Sequence, residues 1–204
     1  MSLNSGSIKR TSLEDLRRDE LVAAALRTIS VQGFEHTTVR DIAKAAGASI
    51  GSVNYYFKTK KELLLVAVAQ SDQRFRASVR EAVAAEDGAI AKLERIAHLS
   101  FLDGEDVSPD WAVFVDFWQQ ASREDEFRAI FESANEEWLE LLVQVMTDGV
   151  AAGELDIRGT VRDAAMALAA LIDGLGLHTR VTQHVDAQTA HALVMAYIEG
   201  LRAE

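Results

Sequence analysis

Thr38, Arg40, Ser52, Asn54, Tyr55, Tyr56 and Lys60 bring hydroxyl, guanidinium, amide, phenol and ammonium groups into one short stretch of the chain. No nucleophile–base pair stands among them. Together they can donate and accept hydrogen bonds and neutralise phosphate. Asn54 can pair with adenine, Ser52 can bond either base type, and Ile50 can touch a thymine methyl. Thr38, Arg40, Tyr55, Tyr56 and Lys60 suit contacts to phosphate, which position a protein on a duplex without reading its sequence.

A second group lies further on, in "DWAVFVDFWQQ", where Trp111, Phe114, Val115 and Trp118 follow helical spacing with Phe117 beside them and Asp116 as the only interruption. The next helix adds Trp138. Ring faces attract cations and a carboxylate completes the neutralisation, so Trp111, Phe114, Asp116, Phe117, Trp118 and Trp138 form a candidate enclosure for an apolar or cationic molecule. An aromatic stripe at helical spacing is equally the ordinary content of a core, with Asp116 at the surface or paired with Arg123.

The five histidines, His36, His98, His178, His184 and His191, form no H-E-x-x-H or glutamate–histidine pair, and the chain has no glycine-rich phosphate loop or nucleophile elbow. His184 and His191 lack a carboxylate at metal-ligand spacing. No catalysis, metal or cofactor is expected.

Helices must position both groups. Apolar residues Leu21, Val22, Ala25, Leu26 and Ile29 keep helical spacing up to Gly33. Thr38, with Asp41 three residues on, opens a short second helix that stops at Gly47. Ser49 opens a third, and Thr59 with Glu62 opens a long fourth. Two short helices joined by a glycine turn describe a helix-turn-helix over about residues 38–57, whose second member enters the major groove. Ala43 permits close crossing, Gly47 takes the left-handed turn, and Ile42, Val53, Phe57 and Leu63 close a small core with the first helix. Similar helix pairs also occur in proteins that bind no nucleic acid.

The remainder reads as five further helices, with breaks at Asp87–Gly88, Asp103–Gly104 to Pro109, Ser122, Gly153 to Gly159 and His184 to Asp186. Phe127, Phe131, Ala134, Trp138, Leu142, Val145 and Gly149 make one stripe. The last two helices carry small residues, Ala165, Ala169, Gly174 and Gly176, then Ala192, Ala196 and Gly200, with Leu168, Ile172, Leu175, Leu193 and Leu201 for apolar area. This pattern suits a four-helix interface between two copies, or packing of the pair within one chain.

The net charge of −11 disguises an asymmetry: residues 1–62 carry +3 and residues 63–204 carry −14. A weakly basic head on an acidic body points to two tasks, or to a merely solvated body. The absence of cysteine excludes disulfides and thiolate sites. No apolar run approaches the ~20 residues of a membrane span, and the N-terminus lacks the apolar core of a secretory signal. These features lead us to expect a soluble, cytoplasmic protein.

"TTVRDIAKAAGASIGSVNYYFKTKKELLL", with "AALRTISVQGFEHT" before it, resembles the DNA-binding head of TetR-family transcriptional regulators over residues 19 to about 68. The likeness lies in the glycine–aromatic pair, Thr-Thr, Ile-Ala, the turn glycine, Tyr-Tyr-Phe, Lys and Glu-Leu. Ala48 departs from the usual valine after the turn glycine. The resemblance implies backbone contacts from Thr38 and Arg40. It also implies a reading helix bearing Ser49, Gly51, Ser52 and Asn54, an aromatic phosphate-binding pair Tyr55–Tyr56, and a phosphate contact from Lys60. "WAVFVDFW" and "ALAALIDGLGLH" resemble the choline-responsive branch that represses betaine synthesis, which implies a quaternary-ammonium ligand; another apolar metabolite fits as well.

The expectation is therefore an all-α protein of about nine helices: a three-helix head, residues 1–60, and a larger ligand-binding and dimerisation domain, residues 61–204. The fourth helix belongs to both. Its expected function is a homodimeric repressor released from a palindromic operator by a small-molecule effector; the alternative is a helical adaptor without DNA activity.

Overall fold

The computed structural model describes residues 13–102, 111–181 and 184–203. Among the described residues there are nine α-helices and no strand: α1 (Leu13–Gln32), α2 (Val39–Ala45), α3 (Ile50–Tyr56), α4 (Lys60–Ala84), α5 (Ala89–Phe101), α6 (Trp111–Ala121), α7 (Asp125–Ala152), α8 (Val161–Val181) and α9 (Ala187–Glu199). The all-α class and the helix order follow the sequence pattern. The break expected from Asp103 to Pro109 lies outside the described residues. None of the helices is long and apolar enough to cross a membrane. Two compact units meet between Ala67 and Val68.

In the first unit the ends of the helices are set by local chemistry. Gly33 takes φ 81° and its N–H closes α1 on the Ile29 carbonyl at 2.8 Å. Thr38 caps α2 through a complete capping box with Asp41, and Gly47 adopts φ 58° in the turn that follows. Ser49 Oγ accepts the Ser52 N–H at 3.0 Å at the start of α3. Thr59 caps α4, but Glu62 reaches back one residue further than a capping box requires, accepting the Lys58 N–H at 2.8 Å. Leu21, Ile29, Ile42, Val53, Phe57 and Leu63 are all buried and form the core of this unit.

The second unit is built on one apolar cluster to which α5, α7, α8 and α9 contribute Leu93, Ile96, Leu142, Met146, Leu168, Ile172, Val194 and Ile198. α5 has no side-chain cap of its own; Glu154, just beyond α7, supplies one by accepting the Ala89 N–H at 2.7 Å. The small residues Ala165, Ala169 and Gly176 of α8, with Leu168, Ile172 and Leu175, are buried inside this unit rather than offered to a second copy. Among the exposed residues of the same helices are Met166, Ala167 and Ala170 on α8 and Ala192, Leu193 and Ala196 on α9, with Gly200 exposed at its C-cap. The reason is rotational: the buried set occupies the face of α8 that meets α7 and α9.

Gly149 of α7 marks the closest packing. A methyl group there would lie 2.5 Å from Ala89 Cβ and 2.7 Å from Leu155 Cδ1. Gly149→Ala should therefore cost about 1–3 kcal/mol through overpacking and lower the melting temperature by several degrees. Thermal denaturation followed by circular dichroism measures this. An unchanged midpoint would mean that α5 and α7 separate freely at this point.

Candidate nucleic-acid surface and effector cavity

The head presents its polar groups outward. Ile50, Gly51, Asn54 and Tyr55 are exposed on α3, Tyr55 to 73%, while Ser52 and Tyr56 are half-buried. Val53, between them, is buried and pins α3 to the core. Tyr55 and Tyr56 meet edge to face with ring centroids 5.0 Å apart. Ser49, Thr38 and Arg40 are exposed as well. Asp41 is spoken for by the cap: its carboxylate accepts bonds from the Thr38 hydroxyl and Gln32, which hold it below the ordinary carboxylate range.

Lys60 is more constrained than its neighbours. Its ammonium donates to the Glu35 carbonyl at 3.2 Å and sits 5.8 Å from the Phe34 ring. Partial burial lowers its affinity for the proton, against the pull of Glu35. Lys60 thus ties the first turn of α4 to the turn between α1 and α2. Arg18 plays a similar part from α1, lying 5.2 Å over the Phe57 ring.

The second unit holds a cavity of about 100 Å³, room for a few waters or one small organic molecule. α6 and α7 supply its rings, Trp111, Phe114, Phe117, Phe131 and Trp138, and α4 adds Phe75. The rings touch one another: Trp111 and Phe114 meet edge to face at 5.3 Å, Phe117 and Phe131 at 5.8 Å. Four of the six residues expected from sequence, Trp111, Phe114, Phe117 and Trp138, line this space. Asp116 and Trp118 do not. Trp118, on the last turn of α6, is 42% exposed and stacks on the outside of Phe131.

Two other carboxylates stand in the cavity wall, both unforeseen. Asp72 of α4 is paired with Arg76 one turn on, and Arg76 also donates to the Ala134 carbonyl at 2.9 Å and meets Glu137 at 3.2 Å. Burial raises the Asp72 carboxyl while Arg76 draws it back down. Asp173 of α8 has no hydrogen bond or ion pair among the described residues, and burial alone pushes it up to about 6. The available signal was its isolation: Asp173 is the single charged residue between Ala164 and Leu177.

Residues 21–67 match the profile of bacterial regulatory proteins of the tetR family, and residues 89–203, more than half of the chain, match that of the BetI-type transcriptional repressor, C-terminal. The chain is a TetR-family regulator with a BetI-type C-terminal domain. Among relatives, this regulator is 29% identical to the HTH-type transcriptional regulator BetI of Burkholderia mallei (strain NCTC 10229), over 95% of this chain and 97% of that one. It is 34% identical to BetI of Agrobacterium fabrum over 59% of each. Its fold is shared with a transcriptional regulator of Saccharomonospora viridis solved in complex with choline, at TM-score 0.84 and 22% identity, covering 92% of this chain and 97% of that one. The fatty acid degradation regulator FadR of Bacillus halodurans shares the fold too, at TM-score 0.79 and 21% identity, covering 96% and 100%. The regulator is thus a DNA-binding transcriptional repressor.

Asp173 should leave a signature in stability. A carboxyl raised from 3.8 to about 6 favours its protonated form in the folded state, so its contribution is present below pH ~4 and is lost as pH rises through about 6. Asp173→Asn should remove that loss. Urea denaturation should find the variant more stable than wild type at pH 7.5, by up to about 3 kcal/mol, and nearly equal at about pH 3. Parallel pH profiles would show that the carboxylate is solvated.

Proposed function

We propose that the effector of this regulator is a small quaternary ammonium cation of the choline class. The observation that carries the reading is Asp173, a half-buried carboxylate with no hydrogen bond or ion pair among the described residues, in a cavity walled by five rings from α6 and α7 and by Phe75. An ionised acid there needs a positive counter-charge. A primary ammonium would bring its own unmet hydrogen-bond donors, whereas a quaternary one has none to satisfy and is held by ring faces and a nearby charge. Choline in the Saccharomonospora viridis protein supports this class. An anionic head group, as in a fatty acid, would meet Asp72 and Asp173 with the wrong sign.

The head binds a palindromic operator as one of a pair, with Ser49, Ile50, Gly51, Ser52 and Asn54 toward the bases and Thr38, Arg40, Tyr55, Tyr56 and Lys60 toward the backbone. The two copies join through the exposed residues of α8 and α9, Met166, Ala170, Ala192, Leu193 and Ala196 among them, which sets the two α3 helices ~34–36 Å apart, one turn of DNA. α4 carries the response. It begins at Lys60, clamped to Glu35, and its later turns supply Val68, Ser71, Asp72, Phe75 and Arg76 to the cavity wall. A cation drawn to Asp173 and Asp72 favours one position of α4 over another, and with it one spacing of the two heads.

Choline titrated calorimetrically onto the wild-type protein at pH 7.5 should bind once per chain, and its uncharged isostere 3,3-dimethyl-1-butanol should not. Asp173→Asn should lose at least tenfold in affinity. Wild-type affinity should fall with acidification, approaching ~10-fold per pH unit below about 6, and the variant's should stay flat. Equal binding of the alcohol would sink the cation reading in favour of a merely apolar ligand.

Tyr55→Ala should weaken binding to the DNA upstream of the regulator's own gene by about tenfold, the worth of one or two hydrogen bonds, and leave dimerisation unchanged. A mobility shift with sedimentation on the same samples separates the two. Wild-type affinity in this variant would remove Tyr55 from the interface.

A further inference from the structure

Gly176 is buried on α8, and its helical backbone is open to any residue: it is absent from the glycines with positive φ. What forbids a side chain is Trp111. A Cβ built on Gly176 would lie 2.2 Å from Cη2 and 2.3 Å from Cζ2 and Cζ3 of that indole, well inside the 3.4 Å at which ordinary contact begins. Gly174, two residues earlier, has nothing within 4 Å among the described residues. The requirement is local to one indole edge.

The indole is held on its other sides. Its Nε1–H donates to the Ser100 carbonyl at 3.2 Å, Phe101 stacks on it at 6.1 Å and 15°, and Phe114 meets it edge-on. Trp111 lines the cavity and Gly176 does not, so the ring stands between that glycine and the cavity space. Gly176 also follows Asp173 by three positions, which places both on one face of α8. One turn of helix therefore carries the unpartnered carboxylate and the notch that seats the nearest ring.

We propose that Gly176 is the specificity-determining position of the effector site: its missing side chain seats Trp111 against α8 and thereby sets the room between the indole and Asp173, and so the size of cation admitted. This rests on the cation reading above. A methyl group at 176 drives the indole edge toward the cavity, so affinity falls, and falls further for bulkier cations.

The test uses the full-length protein and its Gly176→Ala, Trp111→Phe and doubly substituted variants, titrated with tetramethylammonium, choline and tetraethylammonium. Gly176→Ala should weaken choline at least tenfold, with the loss rising from the smallest cation to the largest. In the Trp111→Phe background, where the offending outer edge is gone, the same substitution should change affinity less than twofold. A second, ligand-free readout uses Trp118→Phe/Trp138→Phe protein, in which Trp111 is the remaining tryptophan; Gly176→Ala should shift its emission. Wild-type affinities and an unshifted emission in Gly176→Ala overturn the inference, as does an equal loss in the Trp111→Phe background, which would place the effect in α8 itself. Failure of the wild type to bind any of the three cations overturns the cation reading and the size role of Gly176 together, whatever the emission shows.

Discussion

A half-buried carboxylate with no hydrogen bond or ion pair is a standing electrostatic cost, and among the described residues of this regulator Asp173 is such a group. Burial acts on its carboxyl unopposed, so its acidity is suppressed. Asp72, in the same wall, shows the contrast: Arg76 faces it and offsets the burial. A carboxylate left in the first condition makes the folded body weaker than it need be at neutral pH. The same condition makes the body selective, because a charge that water screens only in part attracts a counter-ion more strongly than one at the open surface and discriminates between a cation and its uncharged shape.

The surrounding packing preserves that condition. Gly149 lets α7 lie against Ala89 and Leu155, and Glu154 closes the start of α5, in the α5–α7–α8–α9 core from which α8 presents Asp173. Gly176 then lets the Trp111 indole lie flush on the same helix, one turn further on. The cavity wall owes its shape to the missing side chain at 176 as well as to its six rings. On the third wall, α4 is fixed to α7 through Arg76, which joins Asp72, the Ala134 carbonyl and Glu137. An ion network that shares Asp72 and Arg76 with the cavity wall is well placed to respond to an arriving cation.

The head works by different means, with two short helices, α2 and α3, capped by Thr38 and Ser49 and held on a small apolar core. Its overall charge is modest, and the residues offered outward on α3 are flat, small or hydroxylated. Such a surface suits discrimination between bases more than raw attraction to phosphate. The acidic body does not contradict a DNA-binding function, because the two charges reside on separate units.

Helix boundaries were legible because they are decided locally. A threonine or serine oxygen bonding an amide three residues on, or a glycine taking positive φ, needs no information from elsewhere in the chain, and Thr38, Ser49, Gly33, Gly47 and Gly153 all behave as their types demand. Helical spacing also placed Trp111, Phe114, Phe117 and Trp138 together. The rest depended on contacts between elements distant in sequence. Spacing alone does not reveal which side of α6 meets α7, so Asp116 and Trp118 seemed equivalent to the rings that enclose the cavity. The small residues of α8 read as a surface for a second copy, yet burial among α5, α7 and α9 claimed Ala165, Leu168 and Ala169, and Trp111 claimed Gly176. Sequence determined the helices, the turn and the types of group available. Tertiary structure decided which carboxylate lost its water, because desolvation is a property of everything packed around a group and of nothing within it.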